Sequence, residues 1–226
     1  MKVFAISDLH LSLCGEKPME VFGNNWDNYL EIIKKDWLEK VSEDDVVVIG
    51  GDISWAMKME EFEIDLNYIT ALPGKKIIIR GNHDYWWSSL TKVRNVLPKN
   101  MFAVQNDCVK IDNVIFCGTR GWLLTPEEEQ DEKILARELI RAEMSLQAMQ
   151  RIKKEGDKVV FIIHYPPLLS RKPSVFTNLF EKYGVDSVIF GHLHGIRSDR
   201  FIELNNIKYY LTSTDMVGHR LTKIEL

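Results

Sequence analysis

Five short polar blocks have the residue types to do chemistry together: Asp8-Leu9-His10, Gly51-Asp52, Gly81-Asn82-His83-Asp84, His164 and Gly191-His192-Leu193-His194. Each follows an apolar run, at once or after a single residue, and together they hold five of the six histidines. Singly, each has an ordinary reading, since Asp8 can open a turn and Asn82 can tolerate a left-handed backbone. Jointly they do not, because solvated loop residues have no reason to be rationed that way. Imidazole mixed with oxygen ligands suits Zn, Fe or Mn rather than Mg or Ca, and the absence of thiolates argues against a structural zinc site. Asp8, His10, Asp52, Asn82, His164, His192 and His194 are more ligands than one open four-coordinate site can use. Two divalent metals are the economical solution. Two such cations repel unless an anion lies between them, and Asp52 is the bridge expected.

The runs that must position these blocks are rich in β-branched residues: Val3 to Ile6, Val46 to Ile49, Ile77 to Ile79, Val159 to Ile163 and Val188 to Phe190. They read as fully buried strands. Helical spacing separates them, as in Tyr29, Ile33 and Trp37 or Phe62, Leu66 and Ile69, and this alternation predicts an α/β layered sheet. At the carboxyl ends of parallel strands the five blocks would meet. Asp112-Asn113 and Asn205-Asn206 suit hairpin turns between further apolar segments, which predicts a partly antiparallel second sheet. Thr125 to Gly156 reads as a long charged helix opened by Thr125, Pro126 and a run of Glu. We expect one domain over 1–226, with about 125–156 as the sole candidate for a helical insertion or cap.

The 226 residues are 45% apolar and 27% charged, an ordinary balance for a chain that buries a sizeable core. Net charge is −4, which argues against non-specific nucleic-acid binding, although Arg120, Arg171 and Lys172 offer a local basic patch. Cys14, Cys108 and Cys117 fit neither a zinc knuckle nor a disulfide framework and are expected as reduced, buried thiols. No run approaches eighteen apolar residues, so a membrane span is not expected and a cytoplasmic location is.

In this order, the five blocks resemble the motif set of the calcineurin-like metallophosphoesterases. The resemblance implies a four-layer αββα sandwich of two mixed sheets and a dinuclear centre. It also implies that Asp8, His10, Asp52 and His194 hold one metal, and Asp52, Asn82, His164 and His192 the other. His83 would then serve as general acid or charge stabiliser, oriented by Asp84. Two dications outweigh Asp8 and Asp52, leaving a positive site for an anionic phosphoryl substrate.

The protein Ser/Thr phosphatases of this superfamily carry Gly-Asp-x-x-Asp-Arg-Gly and a Glu after the His, where this chain has Gly51-Asp52-Ile53-Ser54-Trp55 and Asp84. The UDP-diacylglucosamine hydrolases have Arg where His83 stands. Gly81-Asn82-His83-Asp84 is similar to the phosphodiesterase branches, and the compact chain resembles bacterial phosphohydrolases. A small phosphorylated or nucleotide-like diester is therefore the expected substrate. A nuclease, a phosphomonoesterase and a scaffold like the retromer subunit of this fold are the alternatives, the last disfavoured because His83 is present. Trp55 and Trp122 are candidates to stack a substrate ring and Arg120 to grip phosphate. Tyr85, Trp86 and Trp87 share the aromatic rim, with anchoring to the core as the competing reading.

Overall fold

The computed structural model describes all residues except Glu16, Pro126 and Ser170. Strands β1 (Val3–Ile6), β2 (Val46–Ile49), β3 (Lys75–Ile78) and β4 (Met101–Ala103) alternate with helices α1 (Tyr29–Lys40), α2 (Met59–Thr70) and α3 (Leu90–Val96). The hairpin β5 (Cys108–Ile111) and β6 (Val114–Thr119) follows, then α4 (Glu129–Ile152), β7 (Lys158–Ile163), α5 (Val175–Tyr183) and β8 (Ser187–Phe190). A second hairpin, β9 (Phe201–Leu204) and β10 (Ile207–Leu211), precedes β11 (Thr222–Ile224). The strands form two mixed sheets, ordered β11-β1-β2-β3-β4 and β5-β6-β7-β8-β10-β9.

Alternation along the strands sorts side chains into three cores. Val3, Ala5, Val46, Val48 and Ile77 face Phe116, Val160, Ile162 and Ile189 between the sheets. Phe4, Ile6, Val47 and Ile49 face outward onto Ile33 and Trp37 of α1 and Phe62, Leu66 and Ile69 of α2. Phe161 and Ile163 pack outward with Ala142, Leu146 and Met149 of α4 and Phe176 and Phe180 of α5. Helices thus cover both outer faces, the arrangement expected of an αββα sandwich.

Both predicted turns form. Asp112 has φ 52°, and Asn205 and Asn206 have φ 51° and 63°, left-handed values that suit a tight hairpin. Short β4 and β11 were not legible as strands. The long helix is shorter than its sequence pattern suggests, spanning Glu129–Ile152 rather than Thr125 to Gly156, with Glu128 at its N-cap. Pro126, expected in its first turn, lies outside the described residues. The thiols also depart from expectation: Cys117 is buried, but Cys108 is half-buried and Cys14 exposed. Among the described residues no helix is long and apolar enough to cross a membrane.

Candidate metal centre

The two sheets are tied together where β1 ends. Ser7 N donates to Thr212 O at 2.8 Å, Thr214 N donates to Ser7 O at 3.0 Å, and the hydroxyls of Ser7 and Thr212 lie 2.5 Å apart. The residues just beyond this seam face one another. Asp8, His10 and His194 present ligand atoms within 4.8 Å of one another, as do Asp8, Asp52 and His164. His10 Nε2 and His194 Nε2 stand 3.4 Å apart, and Asp8 Oδ1 lies 3.3 Å from His194 Nε2. Asp52 Oδ2, a member of the second group, reaches toward the first, 3.5 Å from His164 Nε2 and 3.9 Å from His10 Nε2. Asn82 Oδ1 meets His164 Nε2 at 2.8 Å and His192 Nδ1 at 3.0 Å. All seven residues singled out as ligands converge, with Asp8 common to both groups.

The backbone is bent to achieve this. Asp8, His10, Asp52 and His192 have φ of 58°, 47°, 50° and 72°, left-handed values that ordinary side chains avoid and that cluster at functional sites. Glycine is needed where the turns pass closest. A Cβ on Gly81 would collide with Asp52 Oδ1, and one on Gly51 would stand 2.7 Å from His164 Nδ1.

Two imidazoles have a defined orientation. His164 Nδ1 lies 3.0 Å from Gly50 O and His194 Nδ1 lies 2.9 Å from Asp215 Oδ1, so each ring donates there and turns Nε2 toward the carboxylates. Burial opposes charge on His164, but Asp52 outweighs it and pushes the pKa up to about 9. At His194 burial is likewise outweighed, by Asp215 and Asp8, giving about 10. Burial pulls His10 down to about 4 against the attraction of Asp52 and Asp8, and lowers His192 to about 4 with help from the charge of His164. Asp52 is buried, yet His164 and His10 hold its carboxyl far below the ordinary range. Such a field attracts a cation, and metal ions would compete with protons for His164 and His194. Nitrogen and carboxylate donors at these separations fit divalent transition-metal ions.

A cavity of about 580 Å³ opens over this cluster, with His10, Asp52, His83, His192 and His194 on its polar side and Met19, Phe22, Trp26 and Trp55 on its apolar side. His83 is held by its backbone N–H, which donates to Asp52 Oδ1 at 2.8 Å, and by Trp55, whose ring centroid is 4.7 Å away. Trp55 also stacks on His10 at 4.8 Å and 21°, and its Nε1–H reaches Met19 Sδ at 3.2 Å.

Asp84 departs from its expected role of orienting the His83 ring. Its Oδ1 accepts from Ile53 N at 2.8 Å, Ser54 N at 3.2 Å and Trp86 Nε1 at 3.0 Å, and its Oδ2 from Gly81 N at 2.7 Å. None of these bonds comes from the His83 ring, whose Nδ1 is buried without a partner among the described residues. Burial, then the charge of Asp52, raises the Asp84 pKa to about 6.

Trp86 and Trp87 belong to the core: Trp86 stacks on Phe62 at 3.5 Å, and Trp87 Nε1 donates to Gln105 Oε1 at 2.8 Å. Tyr85 is exposed. Arg120 and Trp122 do not line the cavity but flank it through Tyr165, whose ring lies 4.2 Å from His192 and 5.1 Å from Trp122. His219, apart from every motif, is buried beside Trp26, with its Nε2 donating to Asn25 O at 2.6 Å. Asp215, Trp26 and Met19 are site residues that the sequence did not single out. Asp215 follows no apolar run directly, and Met19 and Trp26 lie in single-turn 3-10 helices, Met19–Phe22 and Asn24–Trp26, too short for periodicity to mark their direction.

The model of the calcineurin-like phosphoesterases matches residues 1–195, and the chain belongs to that family. No curated protein matches it. Two solved structures share the fold along nearly the whole chain. The protein of unknown function AQ665 from Aquifex aeolicus is 15% identical with a TM-score of 0.55, over 98% of this chain and 95% of that one. TT1561 of Thermus thermophilus is 14% identical with a TM-score of 0.63, over 99% and 97%.

Proposed function

We propose that the protein is a metal-dependent phosphodiesterase acting on a small phosphorylated or nucleotide-like substrate. The observation that carries this reading is the cluster of Asp8, His10, Asp52, His164 and His194, joined by Asn82 and His192 and opening into a cavity where the His83 imidazole stands beside it. Asp8, His10, Asp52 and His194 would hold one metal, and Asp52, Asn82, His164 and His192 the other, with manganese, iron or zinc suited to the mixed donors. When bound, such ions supply Lewis acidity toward phosphoryl oxygens and make a water nucleophilic at neutral pH.

The chain's own residues do the rest. His83 delivers a proton, or a hydrogen bond, to the leaving oxygen. Trp55 fixes the planes of the His83 and His10 rings, and the ring stacking supports a positioning role for it. Met19, Phe22 and Trp26 form the apolar side that receives the organic part of the ester and excludes water. Asp84 ties the Gly81 turn to the Ile53-Ser54 turn, which keeps Asp52, Asn82 and His83 in register. The acidic net charge of −4 favours a small substrate over a nucleic acid and a cytoplasmic setting suits the unpaired cysteines. Residues 1–226 act as one unit, with α4 covering the second sheet rather than closing over the cavity.

The test compares bis-p-nitrophenyl phosphate and p-nitrophenyl phosphate hydrolysis by wild-type protein and His83→Ala at matched metal content. The diester should be preferred, and the variant should keep its metals while losing at least about tenfold in kcat. Undiminished turnover by the variant removes His83 from the mechanism, and monoester preference removes the diesterase assignment.

A further inference from the structure

His219, the one histidine outside the ligand blocks, joins the apolar side of the cavity to the turn behind His194. Residues 213–219 are anchored on the seam between the sheets. Ser213 bridges to Ser7, Thr214 N donates to Ser7 O at 3.0 Å, and His219 N closes the turn on Thr214 O at 2.7 Å. Asp215 of this turn holds His194. At its far end His219, buried and with φ 57°, donates from Nε2 to Asn25 O at 2.6 Å, which leaves Nδ1 to accept from the Thr214 hydroxyl at 3.1 Å. Both nitrogens of a neutral imidazole are thereby used.

The segment that His219 grips has few other ties. The single-turn helices Met19–Phe22 and Asn24–Trp26 close their backbone bonds locally, as in Gly23 N to Glu20 O and Trp26 N to Gly23 O. Among the described residues, two hydrogen bonds join residues 18–27 to more distant parts of the chain: His219 Nε2–H to Asn25 O and Trp55 Nε1–H to Met19 Sδ. A thioether is a weak acceptor, so the His219 bond is the stronger tie. Trp26, next after Asn25, transmits it inward. Its ring centroid lies 5.3 Å from His219 and 5.2 Å from Tyr29, and 6.0 and 6.2 Å from the ligand rings of His194 and His10.

We propose that His219 is a positioning residue for substrate binding: it fixes the Met19–Trp26 wall of the cavity against the turn that orients His194, so that the organic part of the ester meets a wall already in place. A wall ordered in advance leaves less to be ordered on binding, which favours affinity. The assignment rests on the phosphoesterase reading above, but one of its two tests does not need turnover.

The variants are His219→Asn, a residue type that accepts a left-handed φ but whose shorter amide falls short of Asn25 O, and His219→Gln, whose longer amide can donate there. In metal-loaded protein hydrolysing bis-p-nitrophenyl phosphate, His219→Asn should raise KM at least about fivefold and keep kcat within about twofold of wild type, because uniform binding is what is lost. His219→Gln should bring KM back to within about twofold, and metal content should be equal in all three proteins. An unchanged KM in His219→Asn, or a loss confined to kcat or metal content, overturns the assignment. The second test is acrylamide quenching of tryptophan fluorescence. His219→Asn should increase quenching, and the increase should be absent when Trp26→Phe is added. Equal quenching in wild type and His219→Asn overturns the assignment. Thermal melting identifies a variant that fails to fold; Thr214→Val, which removes only the hydroxyl that orients the His219 ring, then takes its place and should move both readouts in the same direction. If wild type does not cleave the diester, the diesterase reading fails and the quenching comparison alone decides the role of His219.

Discussion

Asp215 Oδ1 accepts the Nδ1–H of His194 at 2.9 Å, while Asp215 Oδ2 accepts the Gly195 N–H at 2.9 Å. The carboxylate thereby clamps the ring to its own loop and turns Nε2 toward Asp8 and His10. Asp215→Asn should weaken metal affinity by about 10- to 100-fold, the usual cost of losing a partner behind a ligating histidine, and leave the fold intact. Metal content after dialysis against graded chelator checks this; unchanged affinity would make the contact incidental.

Trp55 stacks on His10 and packs on His83. Trp55→Phe keeps a ring in that place and should retain most of the wild-type kcat, whereas Trp55→Leu should lower kcat about tenfold at unchanged metal content, since a loosely held catalytic group loses its alignment. Steady-state kinetics separate the possibilities. A rise in KM alone, with kcat preserved, would return Trp55 to substrate contact.

Asp84 is buried and accepts four hydrogen bonds, three from backbone N–H groups and one from Trp86. Asp84→Ala strands those donors and should lower stability by about 3 kcal/mol or more, given the cost of each buried unsatisfied group. Urea unfolding measures it. A variant as stable as wild type but inactive would instead assign Asp84 to the chemistry.

The ligand set was legible because ligands after parallel strands must lie in strand-end turns, which a sequence marks by apolar run followed by polar block. Val3–Ile6 and Val46–Ile49 were read to the residue for the same reason: both their faces are buried, so no polar residue interrupts the run. β11 was hidden by its three-residue length and its exposed edge position beside β1. The Asp84 contact escaped for a different reason. Adjacency to His83 suggested a pair, but an acceptor enclosed by Gly81, Ile53 and Ser54 is directed by the N–H groups of a turn thirty-odd residues earlier in the chain. Asp215 likewise reaches His194 only through the tertiary fold.

Acid stability depends in part on Asp45, far from the ligands. Burial raises its carboxyl, but bonds from Lys2 N at 2.6 Å, Ser42 Oγ at 2.7 Å and Ser42 N at 3.1 Å outweigh it and hold the pKa below the ordinary 3.8. A depressed folded value contributes stability that is full above 3.8 and is lost as pH falls through the folded value. Asp45→Asn should therefore be about 1 kcal/mol less stable at pH 7, and the gap to wild type should close in strong acid. Denaturation series at several pH values test it; a gap independent of pH would assign the loss to packing.

The most direct test of the central claim strips the protein with chelator, resupplies Mn, Zn, Fe and Mg in turn, and follows bis-p-nitrophenyl phosphate hydrolysis in wild type and Asp52→Asn. Turnover should vanish on stripping and return in wild type with Mn, Zn or Fe, whereas Asp52→Asn should recover neither full metal occupancy nor rate. Hydrolysis that survives stripping, or full recovery in Asp52→Asn, would contradict a metal-dependent mechanism built on these residues.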